Sequence, residues 1–185
     1  SGDAAIVPSP SYPIHIYGPL FAGADLRQVP MRFLANPSER DHFADDFMDS
    51  LRTAYDVGWP KPRVLVISFP HNPTGACVDL PFMQRVVDFC REHEMIVVHD
   101  FAYADVGFDG HQPPSILQAE GAKECAVELY SMTKSFSMAG WRSAFLLGNA
   151  EVVQALVKLK SYLDYGMFQP VQIAATVTIN EAADY

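Results

Sequence analysis

Short apolar runs alternate along the chain with longer stretches whose apolar positions recur every three or four residues. Residues 4–7, 26–31, 64–69, 95–99, 125–129 and 144–147 are of the first kind and predict strands. The run 64–69 is apolar throughout, as a parallel strand covered on both faces requires. Between the strands, Phe43, Phe47, Leu51 and Tyr55 fall four apart and predict a helix over 43–56 with one apolar stripe. Asp79 or a neighbour opens a second helix to about Glu92, with Phe82, Val86, Val87, Phe89 and Cys90 inward. Val153, Leu156, Val157, Leu159 and Leu163 recur at helical period over 150–164, and a helix of small residues follows over 170–183. The proline-rich stretch 8–13 closes the first strand, and a helix begun near Pro13 spans 12–24. Residues 36–46 suit a loop. Strands alternating with helices of this length predict an α/β protein, a three-layer α/β/α sandwich around a mostly parallel sheet. The strand at 144–147 is expected antiparallel, because the link from 134 to 143 is too short for a parallel crossover.

Composition narrows the class. The 185 residues are 49% hydrophobic and 19% charged, which suits a globular chain with a sizeable core. A net charge of −9, from 13 basic and 22 acidic residues, argues against nucleic acid as a partner. No apolar run reaches the ~20 residues of a membrane span, and no secretory signal pattern is seen. Cys77, Cys90 and Cys125 lack CxxC spacing and read as small core hydrophobes rather than disulfides or zinc ligands. A cytoplasmic home is expected. The six histidines show no ligand spacing, so no metal site is expected. Asp45, Asp46 and Asp49 read as a solvated helix face.

In such sheets, ligands bind beyond the carboxyl ends of the strands. Those ends carry the chemistry here. Pro70-His71-Asn72-Pro73-Thr74-Gly75 follows the strand 64–69, Asp100 and Tyr103 follow 95–99, and Ser131-Met132-Thr133-Lys134 follows 125–130, ahead of Gly140-Trp141-Arg142. Each residue alone also suits a plain role. Asn72 fits a turn, Asp100 a helix cap, Ser131 and Thr133 turn caps, Lys134 a solvated loop, Arg142 a surface ion pair, and Tyr12 a packing aromatic. Together they suit one cofactor. A neutral lysine amine forms a Schiff base with an aldehyde, and pyridoxal phosphate (PLP) is the aldehyde cofactor held this way. Asp100 suits the pyridine nitrogen, and Ser131, Thr133 and Arg142 suit the phosphate. Asn72 and Tyr103 suit the ring hydroxyl, and Tyr12 a ring face.

The stretches Ser11-Tyr12-Pro13, Asn72-Pro73-Thr74-Gly75, Val97-Val98-His99-Asp100-Phe101-Ala102-Tyr103 and Ser131-Met132-Thr133-Lys134 with Gly140-Trp141-Arg142 resemble the fold-type I, class I/II PLP-dependent aminotransferases. The gaps of 28 residues from Asn72 to Asp100 and 34 from Asp100 to Lys134 fit that family. Within it, residues 99–105 and 160–166 resemble the branch of alanine, LL-diaminopimelate and aspartate aminotransferases. The resemblance implies Lys134 as the Schiff-base lysine and proton shuttle, and Asp100 on the pyridinium nitrogen. It implies Asn72 and Tyr103 on the ring hydroxyl, Ser131 and Arg142 on the phosphate with Thr133 as helper, and Tyr12 stacked on the ring. It further implies amino-acid and 2-oxo-acid substrates and a homodimer, with 165–168 near the partner's site.

By analogy with the family, the strand order is expected to be 144–148, 125–131, 64–69, 95–100, 4–8, 25–31. Family members are about twice as long. Both ends of the chain read as cut, so residues 1–185 are expected to be the central part of the PLP-binding large domain, inactive alone. An uncovered apolar edge at 144–147 and apolar surface around 162–168 and the last helix are expected as well. Two other functions fit the same cofactor residues: a PLP-binding sensor domain of a transcription regulator, and another fold-type I enzyme such as a β-lyase or decarboxylase.

Overall fold

The computed structural model describes residues 2–31 and 42–181. Six strands form one sheet: β1 (Ala4–Ser9), β2 (Asp25–Pro30), β3 (Pro62–Ile67), β4 (Ile96–Asp100), β5 (Ala126–Ser131) and β6 (Ala144–Gly148). The helices are α1 (Pro13–Phe21), α2 (Phe43–Asp56), α3 (Leu80–Glu92), the single turns α4 (Ala122–Cys125) and α5 (Met132–Ser135), then α6 (Ala150–Leu163) and α7 (Gln169–Glu181). Each expected strand and helix has a counterpart; residues 43–46, expected in a loop, are the first turn of α2, and residues 36–41 and 182–183 lie outside the described residues.

The strand order is β2-β1-β3-β4-β5-β6. Every neighbouring pair is parallel except β5–β6, where Ser131 faces Ala144. The antiparallel last strand is as the short link requires. The expected order is corrected at one point: it sets 64–69 between 125–131 and 95–100, but β4 lies between β3 and β5. Each step from β3 to β4 to β5 moves one place in the same direction, so consecutive strands pair. This puts Asp100 on the strand between the one that leads to Asn72 and the one that leads to Lys134. The chain reverses direction between β2 and β3, so the topological switch lies between β1 and β3, where such sheets open a crevice.

One face of the sheet buries Ile6, Leu65, Ile67, Val97 and Ala126 against Met48 and Leu51 of α2 and Met83, Val86 and Val87 of α3. Phe43, Phe47, Phe69 and Phe82 form its aromatic centre, with ring centroids 5.3–6.2 Å apart. Asp79 caps α3 by accepting from the Phe82 amide at 2.9 Å. Asp45 pairs with Arg85 across the solvated side, in keeping with the expected solvated face. Met132, Met138 and Ala175 of α7 form a second, smaller cluster.

Three expectations are revised. α1 ends at Phe21 rather than Ala24, because Gly23 at φ +78° closes it: the Ala24 amide donates to the Pro19 carbonyl and the Gly23 amide to Leu20. Cys90 and Cys125 sit in the core, but Cys77 is exposed. The apolar stripe of α6 buries none of its residues, and Tyr162, Leu163, Tyr165 and Phe168 are exposed, as expected for 162–168. β6 has no strand on its outer side among the described residues.

Phe82 is 2% exposed and touches three other phenylalanine rings. Phe82→Ala is expected to lower the unfolding free energy by about 3–5 kcal/mol, read as a shift of the urea midpoint at unchanged slope.

Candidate active site

Four strand ends face one crevice. Beyond β1 the chain gives Ser11 and Tyr12, and α1 brings His15. Beyond β3 come Ser68 and the 70–75 turn. Asp100 ends β4, with Tyr103 just after it. Ser131 ends β5, and α5 carries Thr133 and Lys134. All eight residues expected at the site, Tyr12, Asn72, Asp100, Tyr103, Ser131, Thr133, Lys134 and Arg142, line this cleft of about 310 Å³, together with His15, Ser68 and Ala102. That volume is at the lower end of the roughly 300–1,000 Å³ of small-molecule sites.

Asp100 points into the cleft with its side chain 24% exposed. One carboxylate oxygen accepts from His15 Nε2 at 2.8 Å, the other from the Ala102 amide at 3.3 Å. His15 Nδ1 lies 3.1 Å from Ser11 Oγ. The ring of His15 thus bridges the Ser11 hydroxyl and the Asp100 carboxylate. His15 was missed in the sequence. It is the one buried residue of α1, and its signal was its place one turn after Tyr12, in a helix started by proline. Tyr12 is half exposed at the head of α1 and meets the His15 ring edge-on at 5.7 Å.

Asn72 sits in a tight turn. The Gly75 amide donates to the His71 carbonyl at 2.7 Å, and Gly75 has φ +70°, which favours glycine. Thr74 Oγ1 bonds His71 Nδ1 at 2.8 Å and accepts from the Ala76 amide. Asn72 Nδ2 donates to the Tyr103 hydroxyl at 3.4 Å. Lys134 Nζ stands 5.7 Å from the centroid of the Tyr103 ring. Ser131 caps α5 by accepting from the Thr133 amide, which leaves its own hydrogen to donate. Arg142 takes a left-handed φ of 53° and donates Nη1 to the Ala139 carbonyl at 3.0 Å. Among the described residues neither Lys134 nor Arg142 stands in an ion pair. The described residues hold no cluster of three or more metal-ligating side chains.

The family model for aminotransferase class I and II matches residues 1–185. The chain belongs to the class I and II aminotransferases. It is 45% identical over 178 residues to the glutamate-pyruvate aminotransferase AlaC of Escherichia coli K12, covering 96% of this chain and 41% of that protein. To an LL-diaminopimelate aminotransferase of Desulforudis audaxviator it is 39% identical over 183 residues, covering 99% and 44%. Apo-BacF from Bacillus subtilis superposes with a TM-score of 0.84 at 35% identity, over 97% of this chain and 43% of that one. The chain thus spans less than half the length of these aminotransferases.

Membership of this aminotransferase family implies PLP, and the cleft's donors fit it. A carboxylate held by a buried histidine suits a protonated ring nitrogen. Lys134 and Arg142, without carboxylate partners among the described residues, suit an aldehyde and a phosphate. No helix of the described residues is long and apolar enough to cross a membrane.

His71 adjoins Asn72 and is 3% exposed, with Nε2 buried and unpartnered. Burial, then the nearby His15, lowers its pKa to about 4. The unfolded chain binds this proton near pH 6.5 and the folded one near 4, so stability rises with pH across that window. It is fully present above pH 6.5 and falls by up to about 3 kcal/mol as pH drops to 4. Urea melts at pH 4.5 and 7 are expected to show this loss, and His71→Asn to flatten it.

Proposed function

We propose that the protein is a PLP-dependent aminotransferase, moving an amino group between an amino acid and a 2-oxo acid of the alanine, aspartate or LL-diaminopimelate type. In this reading residues 1–185 are the central part of its PLP-binding large domain, and the whole protein is a cytoplasmic homodimer. One observation carries the proposal. Residues from four strand ends, scattered over 130 positions from Tyr12 to Arg142, meet in a single cleft with the buried His15 behind Asp100. The names of AlaC and of the LL-diaminopimelate aminotransferases support the substrate class.

Bound PLP supplies an aldehyde and a ring that accepts the electrons released at the substrate Cα. The residues of this chain do the rest. Asp100 accepts from the ring N–H and holds its proton there, and His15, donating to the same carboxylate, keeps that carboxylate aimed. The Lys134 amine would hold the aldehyde carbon, the aldehyde oxygen leaving as water, and once displaced by the substrate amine the free amine would carry a proton to or from Cα. Asn72 and Tyr103 donate to the ring oxygen. Ser131, Thr133 and Arg142 hold the phosphate with hydroxyls and a fixed fork of N–H groups. Tyr12 covers one face of the ring and excludes water. Arg142 is the one arginine lining the cleft among the described residues.

Incubation of the protein with PLP, borohydride reduction and peptide mapping are expected to place one pyridoxyl group on Lys134. Lys134→Ala is expected to abolish that adduct, and label spread evenly over the surface lysines would overturn the assignment. In the full-length holoenzyme, Asp100→Ala is expected to slow transamination by about 10²–10³-fold while Lys134 still takes the label. A rate near wild type would rule out the role given to Asp100.

A further inference from the structure

The segment 101–115 joins β4 to a 3-10 turn, Ile116–Gln118, and carries Tyr103 near its start. Its first residues form two overlapping turns: the Ala104 amide donates to the Phe101 carbonyl, and the Val106 amide to the Tyr103 carbonyl, each at 3.1 Å. Tyr103 and Asp105 are therefore parts of one small rigid unit. That unit touches the lysine strand twice. The Phe101 amide donates to the Leu129 carbonyl at 2.9 Å, and Tyr130 donates its hydroxyl to Asp105 Oδ2 at 2.6 Å.

The far end of the segment is tied to the same face of β5. Glu128, two residues before Tyr130 and so on its side of the strand, accepts from Ser115 Oγ at 2.8 Å and from the Ile116 amide at 2.9 Å. Between these two ties lies a second cleft of about 810 Å³, which Asp105, Ser115, Glu128 and Tyr130 line. The segment thus spans open space between two ties to β5. Burial and the Asp105 bond raise the pKa of the Tyr130 phenol, so it stays a donor through the neutral range.

We infer that Tyr130 is a positioning residue: by holding Asp105 it fixes Tyr103 against Asn72 and over Lys134. This deepens the proposed function and rests on its reading of Tyr103 as a partner of the ring hydroxyl. Tyr130 does not line the cofactor cleft and reaches Tyr103 through the turn that Tyr103 and Asp105 share.

The test uses the full-length holoenzyme and two readouts. The first is hydrogen exchange at the Ala104 and Val106 amides. Tyr130→Phe and Asp105→Ala are each expected to speed it about tenfold. Asp105→Asn keeps an oxygen acceptor and is expected to restore near-wild-type exchange. The second is the pH midpoint of the absorbance change of bound PLP. A hydrogen bond donated to the ring oxygen favours its ionised form, so Tyr103→Phe raises the midpoint. Tyr130→Phe is expected to raise it in the same direction, and to add nothing in the Tyr103→Phe background. Unchanged exchange in Tyr130→Phe would overturn the inference. So would faster exchange with an unmoved midpoint where Tyr103→Phe moves it. If Tyr103→Phe itself left the midpoint unmoved, the ring-hydroxyl reading would fail, and the hold on Asp105 would still stand or fall on the exchange rates.

Discussion

Parallel pairing of β1, β3, β4 and β5 brings the carboxyl ends of four strands to one edge of the sheet, and every functional side chain depends on it. Neighbouring strands lie about 4.8 Å apart, so residues just past the ends of β3, β4 and β5 are near one another however far apart they stand in sequence. The register fixes which residues meet, with Ile67 beside His99 and Asp100 beside Leu129. Behind that edge, Phe69 links the fold to the site. Its ring sits among Phe43, Phe47 and Phe82, and three residues later the chain presents Asn72. Loss of packing there would reach the cleft through a short, tightly bonded turn.

The strand β4 carries a carboxylate–histidine pair on each face. His99 turns into the core, where its Nδ1 lies 3.0 Å from Glu128, and the next residue, Asp100, turns to the cleft and meets His15. Alternation along a strand requires the two to diverge. The pairs answer different needs. Glu128 is 4% exposed and accepts from Ser115, Ile116 and His99, so its charge is satisfied by several donors at once. Among the described residues Asp100 has only His15 and one amide, and it stays part exposed, which leaves its carboxylate able to accept one more strong donor. A site for a protonated nitrogen needs that incompleteness.

How much of this could be read in the sequence follows from the range of each interaction. Period and strand-end chemistry are local, so the six strands, the main helices and the eight cleft residues were legible. The relation between strands is not local. The order of β3 and β4 was assigned by analogy, and it failed because no residue on either strand states its neighbour. His15 carries only a weak local signal for the same reason: a lone histidine on an apolar helix reads as core until the carboxylate 85 residues away is placed against it. The early stop of α1 was written locally, in Gly23, and was overlooked because apolar residues continue past it. The apolar stripe of α6 gave the helix correctly but not its burial, since a pattern shows that a face seeks a partner and not where that partner is.

The chain's charge of −9 hides a different local balance in the cleft. Asp100 is held from the β1 side by His15, while Lys134 and Arg142 both come from the chain beyond β5, with no carboxylate paired to either among the described residues. The crevice therefore has an acidic pole and a basic pole set apart along the sheet edge. Partly excluded from water, such fixed charges act more strongly than they would on the surface. A ligand with a basic nitrogen and an anionic group at opposite ends then has one favourable orientation and one that places like charges together. The strand order sets this polarity. Were β3 rather than β4 next to β5, the carboxylate would sit one strand further from the cations, and the neutral amide of Asn72 would lie between them.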